Sequence, residues 1–319
     1  CPVGWSDHYG GFWFLAKNED IFNAEQDWAT FSVAPSMLLP AFGTDEPMIP
    51  IDIDPPVHSS YRKLLLPLFT PRAVDALTPC VEQTARDLAD EVAKSDIADI
   101  GLGYARPLPS IVFCTLVGYP QGDWHLFDDW VDRIIYGRDV DPAESEKAAA
   151  EVRTYLWALV EKRRQEPPKD VLTGRLIIAE IDGRPITDEE ILNYAYLLFV
   201  AGLDTTAWAI RSSLWYLARN PKDQERLRRD PELISSAVEE FLRTLSPVQA
   251  MARTATKDVE VGGCPIKQGD RVVLAFGSGN RDEEAYPNPD EIIIDRDQNR
   301  HFAFGVGIHR CLGSNLGRR

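Results

Sequence analysis

Apolar residues recur at three- and four-residue spacing over much of the chain, which predicts a mainly helical protein. The clearest amphipathic segments run over 71–98, 143–164 and 234–244, and we expect scaffold helices there. Short apolar runs bounded by turn residues at 11–16, 259–261 and 271–275 predict strands instead. The pattern therefore predicts a mainly α fold with a small β region.

The longest helical pattern begins at Thr187 and ends at Asn220-Pro221. Thr187 and Glu190 have the spacing of a capping box, which predicts the helix start. At 1.5 Å per residue, a helix of this length would be roughly 48 Å long. Residues 197–201 are apolar on every face, so we expect the helix to run through the core.

The middle of this long helix carries a sequence that disfavours helix, Ala201-Gly-Leu-Asp-Thr-Thr206. Gly costs about 1 kcal/mol in a helix interior, and Asp and Thr compete with the backbone for hydrogen bonds. Local rules fail most often at functional sites. We therefore expect a gap that admits oxygen and water, with Asp204 and Thr205 on a proton path. A structural irregularity without function is the alternative.

Two loops precede the first long helices. Residues 32–50 contain four prolines among apolar residues such as Met37, Phe42 and Met48, which is typical of a lid over an apolar site and equally of a packed surface loop. Asp54-Pro55-Pro56 then predicts a helix start. His58 and Arg62 share one face of that helix and are able to hold a pair of carboxylates, although the spacing alone favours a solvated face.

One cysteine near the C-terminal end of the sequence follows two closely spaced glycines, in Phe304-Gly-Val-Gly-Ile-His-Arg-Cys-Leu-Gly313. Residues 312–319 predict the first turns of a helix. Unpaired N–H groups and the helix dipole stabilise a thiolate at such a position. The glycines allow the backbone to approach a large flat group. Cys311 is therefore a candidate anionic sulfur ligand, and a buried structural cysteine is the alternative.

Composition narrows the classes of function. A chain of 319 residues that is 44% hydrophobic can bury a core as one large domain or two ordinary ones. The formal net charge of −16 argues against a general nucleic-acid binder. Scattered cysteines without a Cys-x-x-Cys pair indicate a reducing cytoplasm. No apolar run approaches the ~20 residues that span a bilayer, so we expect a soluble protein without a membrane partner.

The segment 304–313 matches Phe-Gly-x-Gly-x-His-x-Cys-x-Gly and resembles the haem-binding loop of the cytochrome P-450 family. The stretch Ala201–Thr206 resembles the oxygen-activating motif of the same family. The likeness extends over essentially the whole chain and is greatest to soluble bacterial members of the camphor-hydroxylase type, as in Asp54-Pro-Pro and Gly183-Arg-Pro-Ile-Thr. It implies the P-450 fold, with haem between the long helix and the cysteine helix.

The resemblance also implies roles for individual residues. Cys311 would be the axial thiolate ligand of haem b, while Thr205 would hydrogen-bond dioxygen and Asp204 would assist proton delivery. The other cofactor-binding residues would be His58, Arg62, Arg253, Phe304 and His309. The substrate pocket would be lined by Leu197, Val200, Ala201, Val248, Ala250 and Met251. A structural lock would join Glu240, Arg243 and Arg296, although a Glu-x-x-Arg pair alone is more typical of a surface bridge and a lone Arg in a strand of a surface residue.

The activity implied by the resemblance is that of a haem-thiolate monooxygenase, which inserts one atom of dioxygen into a small to medium hydrophobic substrate, terpenoid-like or aromatic. A small acidic ferredoxin and its reductase would supply electrons. The ferredoxin would dock on Arg72, Arg310, Arg318 and Arg319. A peroxide-driven or isomerising haem-thiolate enzyme and a non-catalytic haem carrier or gas sensor are the alternatives. Because the sequence starts at Cys1 and ends eight residues after Cys311, we expect 1–319 to be one incomplete P-450 domain.

Overall fold

In the computed structural model, which describes residues 2–40, 47–167 and 171–319, most of the regular structure is helical. The α-helices of these residues are α1 (Asn18–Gln26), α2 (Val57–Leu65), α3 (Pro71–Val92), α4 (Pro107–Val117), α5 (Trp124–Val131), α6 (Pro142–Arg164), α7 (Leu172–Ile177), α8 (Asp188–Gly202), α9 (Asp204–Arg219), α10 (Pro221–Arg229), α11 (Leu233–Leu245) and α12 (Phe276–Gly279). The strands are β1 (Val3–Ser6), β2 (Phe12–Leu15), β3 (Phe31–Ser32), β4 (Glu180–Ile181), β5 (Arg184–Pro185), β6 (Met251–Ala255), β7 (Val259–Val261), β8 (Cys264–Ile266) and β9 (Arg271–Leu274). The prediction of a mainly α fold with a small β region is confirmed.

The main sheet has five strands in the order β1-β2-β9-β6-β3. It joins the N-terminal residues to the last quarter of the sequence, because β2 pairs in parallel with β9, with Trp13 opposite Val272. Strand β6 pairs antiparallel with β9 on the other side. Two short ladders, β4 with β5 and β7 with β8, complete the β structure of the described residues.

The largest hydrophobic cluster lies between α4, α5, α6 and α8. Phe127, Leu156 and Tyr194 are fully buried in it, and so is Cys114, as the apolar run around Cys114 predicts. Among the described helices, none is on its own long and apolar enough to cross a membrane, and one pair bent by 48°, Val57–Leu68 with Pro71–Val92, reaches that length and composition together. Helix α3 ends at Val92 and not at Ala98 as predicted. Residues 93–98 are largely exposed, so they have little apolar surface to bury against the core.

The predicted 48 Å helix is in fact two helices. Its start is as predicted, because the Thr187 hydroxyl accepts from the Glu190 amide at 3.2 Å and the Glu190 carboxylate accepts from the Thr187 amide at 2.7 Å. However, α8 ends at Gly202 and α9 begins at Asp204, on either side of the buried Leu203. The Thr205 hydroxyl donates to the Ala201 carbonyl at 3.1 Å, which is the side-chain competition that weakens a helix interior.

Helix α11 carries the pair Glu240 and Arg243, and both side chains are fully buried. Two guanidinium groups hold the Glu240 carboxylate, Arg243 at 2.8 Å and Arg296 at 3.1 Å. Desolvation raises the pKa of Glu240, but the bonds from Arg243, the Ile293 amide and Arg296 outweigh it and lower that pKa. The surface-bridge alternative is therefore wrong, and the structure brings the three residues of the predicted lock together.

The same network also binds residues 280–299, the irregular segment that follows α12. The Arg243 guanidinium donates to the backbone carbonyls of Asn280 and Pro289, each at 2.7 Å. The Asn299 side-chain amide donates to Glu240 at 2.9 Å. Residues 280–299 are therefore held to α11 through one buried carboxylate and its partners.

We expect Glu240→Gln to lower the free energy of unfolding by about 3–5 kcal/mol, because it leaves the buried Arg243 charge without its partner. Urea denaturation followed by circular dichroism measures this. Glu82→Gln is the matched control, because Glu82 pairs with Arg86 on an exposed helix face and should change stability little. Equal stability losses in the two variants would show that the lock is not a stabilising network.

Candidate haem site

The loop before Cys311 is shaped by two glycines with left-handed backbone, Gly305 at φ 60° and Gly307 at φ 70°. A Cβ atom at Gly307 would lie 2.5 Å from the Glu25 carbonyl oxygen in α1, so the close approach of the two segments requires glycine here. The Cys311 amide donates to the Phe304 carbonyl at 2.7 Å and closes the loop. The loop backbone is therefore tight and packed against α1.

The segment after Cys311 is not the predicted α-helix. Residues Leu312–Asn315 form a 3-10 turn, with Cys311 at its N-cap. The Cys311 side chain is exposed, yet the protein atoms around it desolvate the thiol enough to raise its pKa. The Gly313 amide and the charges of Arg62, Arg310 and Arg318 act in the opposite direction. A bound metal ion strongly favours the deprotonated form of such a thiol.

Two histidines that the sequence suggested as cofactor ligands meet beside this loop. The rings of His58 in α2 and His309 lie with centroids 4.3 Å apart. Within the described residues, both ring nitrogens of His58 and Nε2 of His309 are buried without a hydrogen-bond partner. Desolvation lowers the pKa of His309 to about 3, with His58, Arg253 and Arg62 adding to the effect, so the ring is neutral at pH 7. Orphaned buried nitrogens of this kind call for a ligand that carries hydrogen-bonding groups.

Two arginines border the same space. Arg62 in α2 donates through Nη2 to the Arg310 carbonyl, which joins α2 to the cysteine loop. Arg253 in β6 is buried, and its Nη1 donates to the Ala252 carbonyl at 2.8 Å. Its other terminal nitrogen pairs with the carboxylate of Glu25. The view of Arg253 as an ordinary surface residue of a strand is therefore wrong.

Glu25 is the residue of this region that the sequence analysis missed. It lies in α1 among the buried positions Ile21 and Ala24, so an acidic side chain stands where the helix pattern calls for an apolar one. Its Oε2 accepts from the Val306 amide at 2.9 Å in the cysteine loop. The spacing from Ile21, four residues, was the available signal.

These residues fit haem. A thiol follows a tight glycine loop, and neutral histidines with unpartnered nitrogens stand beside two guanidinium groups, which suits a pair of propionates. Phe304 packs under Arg318, whose guanidinium lies 4.4 Å above the ring. The structure thus brings together most residues of the predicted cofactor set, and their individual roles stay predictions.

The predicted acid, Asp204, stands in the first turn of α9 and lines a cavity of about 250 Å³. The Tyr136 hydroxyl donates to its Oδ1 at 2.6 Å. The cavity is also lined by Arg106, Asp128, Asp132 and Arg211. Arg106 is held by Asp128 and by Asp132, each at 2.7 Å. The break between α8 and α9 therefore places the acid next to a space that water can enter.

The predicted substrate-pocket residues lie in two different hydrophobic clusters. Val200 belongs to the helical cluster, whereas Val248 and Met251 pack against the cluster beside the main sheet. The other three predicted wall residues differ in exposure: Leu197 is buried, whereas Ala201 and Ala250 are exposed. The pocket wall stays a prediction.

Loop 32–50 packs at its ends, where Met37 and Met48 are buried. Its Phe42 lies outside the described residues.

Half of the predicted docking patch is occupied by ion pairs. Arg319 pairs with Asp75, and Arg318 donates to Glu239 at 2.5 Å. Arg72 and Arg310 are exposed. The positive charge available to an acidic partner on this face is therefore smaller than the sequence suggested.

His58, His309, Arg62 and Arg253 form a cradle beside the cysteine loop. The helical fold, the loop and this haem cradle define a haem-thiolate enzyme. A family model for cytochrome P450 matches residues 123–319. The probable cytochrome P450 127A1 of Sinorhizobium fredii is 39% identical over 311 residues, which cover 97% of this chain and 74% of the relative. This chain therefore belongs to the cytochrome P450 family, and the predicted fold and family are confirmed.

Other relatives have named activities or ligands. The 6-deoxyerythronolide B hydroxylase of Saccharopolyspora erythraea is 36% identical over 268 residues, or 83% of this chain and 66% of the relative. The crystal structure of CYP109E1 from Bacillus megaterium in complex with testosterone matches with a TM-score of 0.87 at 34% identity, covering 100% of this chain and 84% of that chain.

Membership of this family makes the protein a haem-dependent monooxygenase with a cysteine thiolate ligand, which acts on an organic substrate with dioxygen and a redox partner. That residues 1–319 form one incomplete domain stays a prediction.

Glu239 connects α11 to both ends of the cysteine loop. It accepts from Arg318 and from Nε2 of His301, at 3.2 Å for the histidine. Nδ1 of His301 accepts from the Ala303 amide, so Nε2 carries the proton. Desolvation raises the pKa of Glu239, but the hydrogen bonds from His301 and Arg318 outweigh it and lower that pKa to about 2.

This depressed pKa predicts a pH-dependent stability. The Glu239 carboxylate contributes stability that is fully present above its unfolded-state pKa of about 4.3 and is lost as the pH falls towards 2. We expect Glu239→Gln to be less stable than the wild type by about 1–2 kcal/mol at pH 7, and the difference to shrink below pH 4.5. Chemical denaturation at a series of pH values measures it. A difference that stays constant down to pH 3 would contradict this account.

Proposed function

We propose that the protein inserts one atom of dioxygen into an apolar substrate of small to medium size, with haem b as its cofactor and a ferredoxin with its reductase as electron donors in the cytoplasm. The observation that carries the proposal is the cradle of Cys311, His58 and His309, whose buried nitrogens have no partner among the described residues. The apolar side chains Val200, Val248 and Met251 support an apolar substrate. One similar structure contains testosterone, and one relative is named as a hydroxylase of 6-deoxyerythronolide B. Both favour a larger alicyclic or macrocyclic compound within this range over a small aromatic one.

In this mechanism haem, when bound, supplies reductive activation of dioxygen, and the Cys311 thiolate donates electron density that favours O–O cleavage. Arg62 and Arg253 bind carboxylates through charge-assisted hydrogen bonds, and the neutral histidines add N–H donors. With haem bound, Arg62, Arg253 and the two histidines would hold its propionates and so orient it.

Protons reach the site through Asp204 and Thr205. The Asp204 carboxylate borders the cavity of about 250 Å³, which is large enough to hold water, and the Tyr136 hydroxyl holds one of its oxygens. Desolvation, together with the bond to Asp204, raises the pKa of Tyr136 to about 12, so this hydroxyl keeps its proton at neutral pH. The Thr205 hydroxyl passes the proton inward when it turns away from the Ala201 carbonyl.

The first test is the absorption spectrum of the reduced protein with carbon monoxide. We expect a Soret band at the position of a thiolate ligand and its loss in Cys311→Ser. We further expect Thr205→Ala to keep this band and to divert at least about threefold more electrons to hydrogen peroxide, because a proton donor is lost. Thr154→Ala is the matched control, since Thr154 makes the same bond to the carbonyl four residues earlier on the exposed face of α6.

A Soret band at the histidine-haem position would overturn the Cys311 assignment. Peroxide-driven oxygenation is the second candidate function, and the acid-alcohol pair Asp204 and Thr205 counts against it. Substrate turnover with peroxide alone that is unaffected by Thr205→Ala would favour that second candidate.

The Tyr136–Asp204 bond gives a separate prediction. We expect Tyr136→Phe to lower product formed per dioxygen consumed by about threefold and to increase the solvent isotope effect, because the acid loses the group that positions it. Tyr216→Phe is the matched control, since Tyr216 donates to Asp223 at 2.7 Å on the other end of α9. Identical coupling and isotope effects in the two variants would remove Tyr136 from the proton path.

A further inference from the structure

A buried carboxylate stands inside the haem cradle without a role in the mechanism above. The Glu25 side chain is only 2% exposed, as is that of Arg253, with which it forms an ion pair. Its other oxygen accepts from the Val306 amide at 2.9 Å. One carboxylate therefore fixes both a guanidinium of the cradle and the backbone of the cysteine loop.

The fit around Glu25 is close. A Cβ atom at Gly305 would lie 3.0 Å from its Oε2, so the glycine loop and the carboxylate are packed in contact. Arginine has five N–H donors, and the bonds of Arg253 to Glu25 and to the Ala252 carbonyl use two of them. Glu25 and the Ala252 carbonyl thus fix the Arg253 guanidinium, and its remaining N–H groups are left for a second acceptor.

The charges around the cradle nearly balance. Burial raises the pKa of Glu25, while the Arg253 guanidinium and the Val306 amide favour its ionised form. Two guanidinium groups, those of Arg62 and Arg253, stand near two carboxyl groups, those of Glu25 and Asp54, and Asp54 lies 3.8 Å from Nε2 of the neutral His309. A buried charge costs several kcal/mol unless it is paired. Glu25 is the only one of these two carboxylates that is almost fully buried, so within the described cradle its field is the least screened by water.

We propose that Glu25 is a positioning residue of the haem cradle, which holds Arg253 and the Val306 amide in place and whose buried negative charge keeps the reduction potential of the haem iron low. The proposal rests on the haem binding described above. A fixed negative charge stabilises the ferric state over the ferrous state, which carries one positive charge fewer. With the haem potential lowered by Glu25, reduction of the iron requires an electron donor of correspondingly low potential.

The test is spectroelectrochemical titration of the haem-loaded protein. We expect Glu25→Gln, which keeps the shape and a carbonyl acceptor, to favour the ferrous form about tenfold, a rise of about 59 mV for a one-electron couple. Glu25→Asp keeps the charge and should remain closer to the wild type. Glu19→Gln is the control on the exposed face of the same helix and should leave the potential unchanged.

Arg253→Gln distinguishes charge from loosening. Removing the positive partner should lower the potential, whereas a cradle that simply loosens would shift both variants in the same direction. A potential of Glu25→Gln equal to that of Glu19→Gln, or a shift of the same sign in Glu25→Gln and Arg253→Gln, would overturn the proposal. If Glu25→Gln does not retain haem, a potential of Glu25→Asp as low as or lower than that of Arg253→Gln overturns it equally, and a potential of Glu25→Asp near that of the wild type, with Arg253→Gln below both, supports it.

Failure of the proposed function has a different signature. A wild-type protein without the thiolate-type Soret band in its carbon monoxide complex would refute haem-thiolate ligation itself. A normal band with unchanged potentials would refute only the role of Glu25.

Discussion

The cost of burying a charge without a partner constrains the whole candidate site. The chain from residue 280 onward has only short 3-10 turns, so helix and sheet hydrogen bonds do not fix its path. Ion pairs do this instead, since the buried Glu240 with Arg243 and Arg296 holds the segment up to residue 299, and the partly exposed Glu239 holds the two ends of the cysteine loop. Unpairing the buried charges would cost several kcal/mol, and unpairing Glu239 about 1–2 kcal/mol.

A second pair constrains the loop from the opposite side. Glu25 and Arg253 bring α1, β6 and the glycine turn into contact, and Arg62 reaches the same loop from α2. The loop therefore lies between two sets of charged contacts. Charged side chains from α1, α2 and α11 contact this loop and its flanks, and Arg253 of β6 pairs with the one from α1.

Local signals in the sequence predicted what local forces decide. The capping box of α8 and the amphipathic pattern of α11 lie within a few residues, and the structure has both helices where the pattern indicated. The break at Leu203 was visible only as an unfavourable run in a helix. The burial of Arg253 in β6 was not visible in the local pattern, because its partner Glu25 lies 228 residues away in the sequence. The segment after Cys311 was predicted as the first turns of a helix, and residues Leu312–Asn315 form a 3-10 turn.

The contacts that complete the cradle also have the largest sequence separations in it. Glu25 meets Val306 across 281 residues, and Arg62 meets Arg310 across 248. Closing such long loops costs chain entropy before the contact contributes any stabilising free energy. The helical cluster around Phe127 can form from contacts between neighbouring helices while the C-terminal segment is still being synthesised. The contacts of the cradle are therefore formed against a larger loss of chain entropy than those between neighbouring helices, and they require both halves of the chain to be present.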